Sequence, residues 1–499
     1  MLPAAIWLGI TVSPRYKTII EMRSYSFFNI SHIYNRFVRR TILRNSLILF
    51  SILLAVFVPF VLSGYSELKK ATISSSYGEV AKHYRNAAQR IPWRGDLYEL
   101  SGHAFYYAKD YVQADAAYQK AFDRHAFSPQ GWVAWGDVNY LNKNPQRAAE
   151  IWEQALAQKN PSDQLYSRLA EIYQSNGEFS KAADYLQKYV SIHLEDAPAH
   201  YRLGLLLTLS NPNKALSELI SASQLDPELD PAVQTLRTAL NLASLNDSSS
   251  ARLVIIGRGL GLVNEWRLAR SAFEEAVKTD EKNAEAWAWL GETNHQMGVP
   301  EGENEAFDQA LNLNPNSPTV RGLRGLYFQR IGNFRQALSE FQAASTLEPK
   351  NPTWFVSLGE SYAKLGDLIR ALEAYQTATT LVPADASYWR LLAIFCGQNN
   401  VNVKDVGVPA AQKAVVLSKE DATSLDVLGW LLLIDARYEE SERILNHALE
   451  VDSQNASVHF HLGMLYLQIN NRASAYDHFV KARDLGNTDA TMMLKQYFP

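Results

Sequence analysis

Three glycines in the string Gly-Arg-Gly-Leu-Gly, at Gly257, Gly259 and Gly261, are the nearest this sequence comes to a phosphate-binding loop. Such a loop turns backbone N–H groups onto an anion where a helix starts, and it needs G-x-G-x-x-G spacing after a strand. The string lacks that spacing, and no strand precedes it. Gly259 and Gly261 have no role in this reading beyond loosening the helix that holds them. The eleven histidines are scattered. His459 and His461 lie two apart, hence on different faces of a helix, and there is no H-E-x-x-H pair, so no metal site is expected. The single cysteine, Cys396, permits neither an intrachain disulfide nor a thiolate cluster and reads as a buried packing thiol. No G-x-S-x-G elbow, kinase signature or Cys/His arrangement marks a nucleophile. The chain is expected to be no enzyme and to carry no cofactor.

Surface is what remains, and the elements that display it follow a period of 34 residues. The order Phe355, Leu358, Gly359, Tyr362, Gly366, Ala371, Tyr375, Ala378, Pro383 recurs one period earlier as Arg321, Gly325, Phe328, Gly332, Ala337, Phe341, Ala344, Pro349, and before that from Trp287 to Pro315. A repeat of this length is a helical pair that cannot bury its apolar face alone and stacks on copies of itself. At 499 residues the chain exceeds one compact core, which agrees with an array. Hydrophobic residues at 47% and charged residues at 20% exclude a largely disordered chain.

At these positions the sequence resembles the tetratricopeptide repeat family. The resemblance runs from 95 to 487, with repeats at 95–128, 129–162, 163–196, 197–229, 250–283, 284–317, 318–351, 352–385, 386–421, 422–455 and 456–487. It implies an all-α fold, a right-handed α-solenoid of stacked helix pairs. The recurring Gly102, Gly136, Gly257, Gly291, Gly325, Gly359, Gly429 and Gly463 fall where a side chain would hold the second helix of a pair away. Between 230 and 249 an inserted helix and loop break the period, which divides the array into one stack at 95–229 and another at 250–487. The stretch 398–409 carries about two extra residues and is expected to lengthen a turn. Residues 488–499 read as a closing helix for the exposed end of the stack.

Ahead of the repeats, 45–65 is a run of 21 residues without a charge, about 30 Å long as a helix. It reads as a transmembrane helix, kinked at Pro59, through which the chain meets a membrane. A cleaved signal peptide is the competing reading, with Val61 and Ser63 as small residues near its end. Met22 offers an alternative start, and 4–12 is only a short apolar run. The segment 1–44 is basic, with Arg36, Arg39, Arg40 and Arg44 before the span, which places the amino terminus in the cytoplasm and the repeats on the opposite side. The first 70 residues carry nine Lys and Arg against two acids, net +7, and the remaining 39 basic and 50 acidic residues leave the rest at −11. An acidic array argues against nucleic acid as a partner. Residues 66–94 hold only the second helix of a repeat, with Tyr84 and Ala87 in the family's places. The spanning helix therefore stands where the first helix of that repeat belongs.

The resemblance further implies that an inner face lined by the first helices holds protein or peptide partners. Its positions here are Tyr106, Tyr107, Tyr140, Glu171, Gln174, Arg258, Glu292, His295, Glu360, Lys364, Arg390, Trp430, Phe460 and Met464. The Lys and Asn by which some chaperone-binding members hold a terminal carboxylate are missing, since those places are Glu99 and His103, then Val133 and Asp137. The leading expectation is a membrane-anchored interaction scaffold, with self-association through the other face left open. The alternative is an accessory subunit of an envelope assembly or glycan-processing complex whose catalytic activity lies on another chain.

Overall fold

Asn, Asp and Ser side chains start most of the helices. Ser76, Asn144, Asn333, Asp367 and Asn487 each accept a hydrogen bond from the backbone N–H three residues on, which satisfies one donor that a helix start leaves open. Pro129, Pro145, Pro318 and Pro352 occupy first helical positions, where a missing N–H costs nothing. Inside most pairs the turn is made by a residue in the left-handed region at the fifteenth position of the repeat; the α9–α10 pair, with Asn211 at φ −147°, is an exception. Gly177, Gly298, Gly332 and Gly366 fill it without strain, but Lys109, Lys143, Asn264, Ala436 and Asn470 adopt the same conformation with φ from 58° to 63°.

The computed structural model describes residues 14–498 apart from 125–126, 159 and 300–301, with side chains from Arg40 onward. The apolar run 4–12 and the side chains of Met22, Arg36 and Arg39 lie outside the described residues. Among the described residues there are twenty-six α-helices and no strand.

The long α1 (Pro14–Ile73) leads into α2 (Tyr77–Arg90). The pairs α3 (Asp96–Tyr107) with α4 (Tyr111–Asp123), α5 (Pro129–Leu141) with α6 (Pro145–Leu156) and α7 (Gln164–Ser175) with α8 (Phe179–Val190) complete one compact unit, Met1–Leu194. The other, Glu195–Pro499, begins with α9 (Ala197–Leu207) and α10 (Pro212–Leu225), followed by a lone α11 (Asp230–Ser244). Then come α12 (Ser249–Leu262) with α13 (Trp266–Thr279), α14 (Ala284–Gln296) with α15 (Glu303–Leu313), α16 (Pro318–Arg330) with α17 (Phe334–Leu347), and α18 (Pro352–Lys364) with α19 (Leu368–Leu381). After them stand α20 (Ala386–Asn399) with α21 (Val408–Leu417), α22 (Ala422–Ile434) with α23 (Tyr438–Val451), α24 (Ala456–Gln468) with α25 (Arg472–Asp484), and α26 (Thr488–Tyr497). Within each unit a helix packs on its partner and on the pair that follows, as in an α-solenoid.

The small residues of the first helices face the large residues of the second. A Cβ placed on Gly136 would lie 1.9 Å from Trp152 Nε1, and one on Gly325 would lie 2.6 Å from Phe341. Tyr118, Phe273, Phe307, Phe341 and Phe479 are fully buried at the equivalent position of their repeats, each worth about 1.5 to 3 kcal/mol of transfer free energy. Gly259 and Gly261 do not loosen their helix. The first seats Ala239 of α11, whose Cβ would lie 2.4 Å from an added one, and the second seats the Trp266 ring at the start of α13.

Two further expectations differ from what the chain does. Contacts divide it at Leu194 and Glu195, whereas the segment 230–249 lies inside the second unit with Val233, Leu236 and Leu240 buried. A lone helix with an apolar face continues a stack as well as a pair does. The extra residues of 398–409 make no longer loop. Asn400 and Asn402 turn left-handed, and a five-residue π-helix, Val403–Gly407, runs straight into α21 and buries Val403 and Val408.

Among the described residues one helix is long and apolar enough to cross a membrane: Arg40–Ile73 of α1, of whose most apolar window 6% is buried. Its end belongs to the first repeat. Gly64 lets Ile91 approach so closely that a Cβ there would lie 2.6 Å from it, and Leu68 joins Tyr84 of α2 against the buried cluster that includes Ala87 and Ile91. Glu67, 6% exposed, accepts from Lys70 Nζ and His83 Nδ1, each at 2.8 Å, with Arg90 at 3.4 Å. The hydrogen bond from Lys70 first, then that from His83, holds its carboxyl down at about 2 against the opposing effect of burial.

Candidate functional site

In the first unit the inner positions of α3, α5 and α7 gather tyrosines around a charged pair. Tyr106 and Tyr107 meet edge to face with centroids 5.4 Å apart, and Tyr107 lies 5.4 Å from Tyr77. Tyr107 is 61% exposed and Tyr140 39%, so both rings present area to solvent. Beside them Arg168 makes a two-pronged bond to Asp137, with Nε 2.5 Å from Oδ1 and Nη2 2.9 Å from Oδ2. Burial first and the Asp137 charge second raise the Tyr106 phenol, which stays a neutral donor. Glu171 is exposed one turn beyond Arg168, and Gln174 is half-buried. This is an amphipathic patch: rigid aromatic area with a fixed cation and carboxylates at its edge.

Behind it, Tyr173 and Tyr185 stack at 5.7 Å and both donate to Glu153 Oε1, at 2.6 and 3.1 Å. Glu99 serves structure. Its oxygens take the backbone N–H and the hydroxyl of Ser128 at the start of α5, and Gly131 leaves room for them. Burial pushes this carboxyl up, yet the bonds from His103 and Ser128 outweigh it and hold the group below its ordinary value.

The second unit uses several inner positions internally. Glu292, 3% exposed, takes Arg330 Nη1 at 2.7 and 2.6 Å on its two oxygens and Gln296 Nε2 at 2.9 Å. His295 meets Tyr327 edge-on at 5.4 Å, with Nδ1 3.6 Å from Glu303. Arg390 donates to Ser424 Oγ at 3.3 Å and lies 3.6 Å from Asp421. Trp430 stacks on His461 at 5.7 Å, while His461 Nδ1 is bonded to the buried Asp426 at 2.7 Å. Phe460 and Met464 pack against Phe479 in the last hydrophobic cluster. Arg258 lies over Trp289 at 5.4 Å but stays exposed, as do Glu360 and Lys364.

Sequence reasoning missed the bonds that tie first helix to first helix: Asp137 to Arg168, Glu292 to Arg330, and Asp426 to both His461 and Ser457. Opposite groups roughly one repeat apart were the available signal. It also missed a cleft of ≈ 440 Å³ beside the lone α11, lined by Leu240, Ala243, Leu253 and Ile256 with Arg252 and Glu275 at its polar edge. Among the described residues no group of three or more His, Cys, Asp or Glu is placed to hold a metal ion. Burial pushes the Cys396 thiol up to about 11, away from the reactive thiolate.

Two family models, both of the tetratricopeptide repeat, match the sequence: one over residues 100–164, 261–318 and 323–394, the other over 140–203. The chain carries tetratricopeptide repeats. Solved structures similar to this tetratricopeptide protein include yeast Tom70, at 16% identity over 74% of this chain and 94% of that one, with a TM-score of 0.39. The APC/C hetero-tetramer Cut9–Hcn1 is 13% identical over 90% of this chain and 98% of that one, with a TM-score of 0.37. YrrB, a tetratricopeptide protein with an unusual peptide-binding site, is 18% identical over 38% and 98%, with a TM-score of 0.30. No curated protein sequence matches this chain.

Proposed function

We propose that this tetratricopeptide protein is a membrane-anchored scaffold that binds partner proteins or peptides through the inner face of its first helices, foremost at Tyr106, Tyr107, Tyr140 and Glu171. One observation carries the choice of place. In the first unit Tyr107 and Tyr140 stay exposed and Tyr106 is half-buried, whereas Glu292, Arg390, Trp430 and Phe460 of the second are already engaged by neighbours. Tyrosine offers large rigid area with a hydroxyl at its tip, the usual basis of strong interface contacts. The uncharged, largely apolar stretch 45–65, mostly exposed along α1, supports an anchor, and the basic residues before it support a cytoplasmic amino terminus with the repeats across the membrane. An anchor raises the effective concentration of repeats near other membrane proteins.

The test is quantitative affinity purification of the full chain from gently solubilised membranes, comparing wild type with the double variant Tyr107→Ala, Tyr140→Ala. Partners are expected to be depleted about tenfold or more while the melting curve is unchanged, because both rings are exposed. Equal recovery by both proteins would refute the assignment of this face. Protease protection on intact cells reads the orientation.

A further inference from the structure

We infer that the turn between α2 and α3 is a second membrane contact, with the Trp93 ring seated in the lipid interface on the repeat side. The inference rests on the spanning reading of α1. Trp93 is 57% exposed, and its ring packs against Phe57 of α1 with centroids 6.1 Å apart. Phe57 lies eight residues before Tyr65, about 12 Å down the helix at 1.5 Å per residue. A bilayer spanned by the uncharged stretch 45–65 has its boundary close to Gly64, where Ile91 of the turn packs, and the Trp93 ring reaches from there along α1 towards Phe57, on the lipid side of that boundary.

The joint that holds the turn there is tight. Ile91 and Arg90 press on Gly64, and Glu67 ties Lys70, His83 and Arg90 one turn above. The order along α1 is that of an interface. Charged groups cluster at Glu67, buried aliphatic contact follows at Gly64 and Ile91, and exposed aromatics stand at Phe60, 48% exposed, and Phe57, 45% exposed. The turn suits the place as well. Pro92 has no N–H to satisfy, Arg94 N–H bonds to the Ile91 carbonyl at 3.0 Å, and the Arg94 guanidinium is paired with Asp96 at 2.7 to 3.1 Å. A tryptophan with a paired arginine beside it is the chemistry of the headgroup boundary. The exposed apolar face of α1 runs continuously into this ring, so its occupant is the acyl and headgroup region of the same bilayer.

The experiment uses the full chain in phospholipid nanodiscs, in a Cys396→Ala background. The environment-sensitive fluorophore NBD is attached through Trp93→Cys, Val56→Cys or Leu245→Cys; Val56 is 70% exposed on α1 and Leu245 81% exposed in the second unit. Nitroxide lipids labelled near the headgroup are expected to quench the probe at position 93 about twofold or more, with blue-shifted emission. Lipids labelled deep in the chain should quench the probe at 56, and neither should reach 245. If 56 is quenched and 93 behaves like 245, the turn lies in water or under protein and the inference fails while the span stands. If 56 is unquenched as well, the spanning reading fails and takes the inference with it.

Discussion

His459 Nδ1 lies 3.0 Å from His478 Nδ1 across the last helix pair. Two nitrogens at that distance share one hydrogen. His459 Nε2 donates to the Ser453 carbonyl, so its Nδ1 accepts and His478 donates. Burial first, and then the nearby His459, push the His478 imidazolium down to about 4, and burial lowers His459 also. The unfolded chain therefore takes up protons at a higher pH than the folded one. Stability contributed by this pair is complete above the ordinary histidine value of 6.5 and drains away as pH falls from 6.5 towards 4. Protection factors against hydrogen exchange in α24 and α25 should fall between pH 7.5 and 5, more than in α16 and α17. His478→Gln should flatten that difference.

Close approach of first and second helices predicts a graded glycine series. Gly359→Leu and Ala344→Trp, set against the buried Tyr375 and within the buried face of α17, should each cost about 1 to 3 kcal/mol by overpacking. Gly136→Ala should also be felt, since the new Cβ falls on the Trp152 indole. Gly78→Ala in α2, with nothing within 4 Å, is the control and should stabilise by about 0.5 to 1 kcal/mol. Denaturant midpoints at constant slope check all four.

Ala436 sits left-handed at φ 58°, a conformation that costs an alanine about 1 to 2 kcal/mol. Ala436→Gly should raise stability by about 0.5 to 1 kcal/mol after the greater freedom of glycine in the unfolded chain is subtracted. Gly332→Ala at the same place of its own repeat should lower it by about 1 kcal/mol. Thermal unfolding of both proteins reads the opposite signs.

Removing Arg330 would leave the buried Glu292 carboxylate without its principal partner. Arg330→Ala is expected to cost on the order of 3 kcal/mol, and adding Glu292→Gln should recover much of that loss. A double-mutant cycle on denaturant midpoints measures the coupling. Additive effects would mean that the two residues act independently.

Glu67 sets a second pH window at the junction of α1 and the first repeat. With its carboxyl held at about 2 in the folded chain against an ordinary 4.5, its stabilisation is complete above 4.5 and is lost as pH falls from there towards 2. Glu67→Gln should cost about 1 to 3 kcal/mol at neutral pH and remove that acid dependence. Exchange of the α2 amides between pH 5 and 3 reports it, and an unaltered acid limb in the variant would show that Glu67 does not set this window.

Much of the fold was legible because it is made by rules one repeat long. Gly325 opposite Phe341 and Gly359 opposite Tyr375 follow from spacing within a single helix pair. The caps at Asn333 and Asp367 are local as well. Gly259 and Gly261 were opaque for the complementary reason: they answer to Ala239 and Trp266, neighbours outside the repeat's own pattern. The turn at 398–409 was opaque because two extra residues can widen a helix as readily as lengthen a loop, and burial of Val403 and Val408 favours the first.

By itself, then, the sequence determined the helix pairs, their register, the apolar run ahead of them and the lack of a recognised catalytic motif, since each is written in the spacing of neighbouring residues. Only the tertiary structure decided which of the inner side chains are engaged by neighbours and which stay exposed. Glu292 is spent on Arg330 and Trp430 on His461, while Tyr107 and Tyr140 stay open. Those pairings join side chains of successive repeats, and whether they meet depends on how far one pair is turned against the next, a distance in space that a period along the chain does not specify.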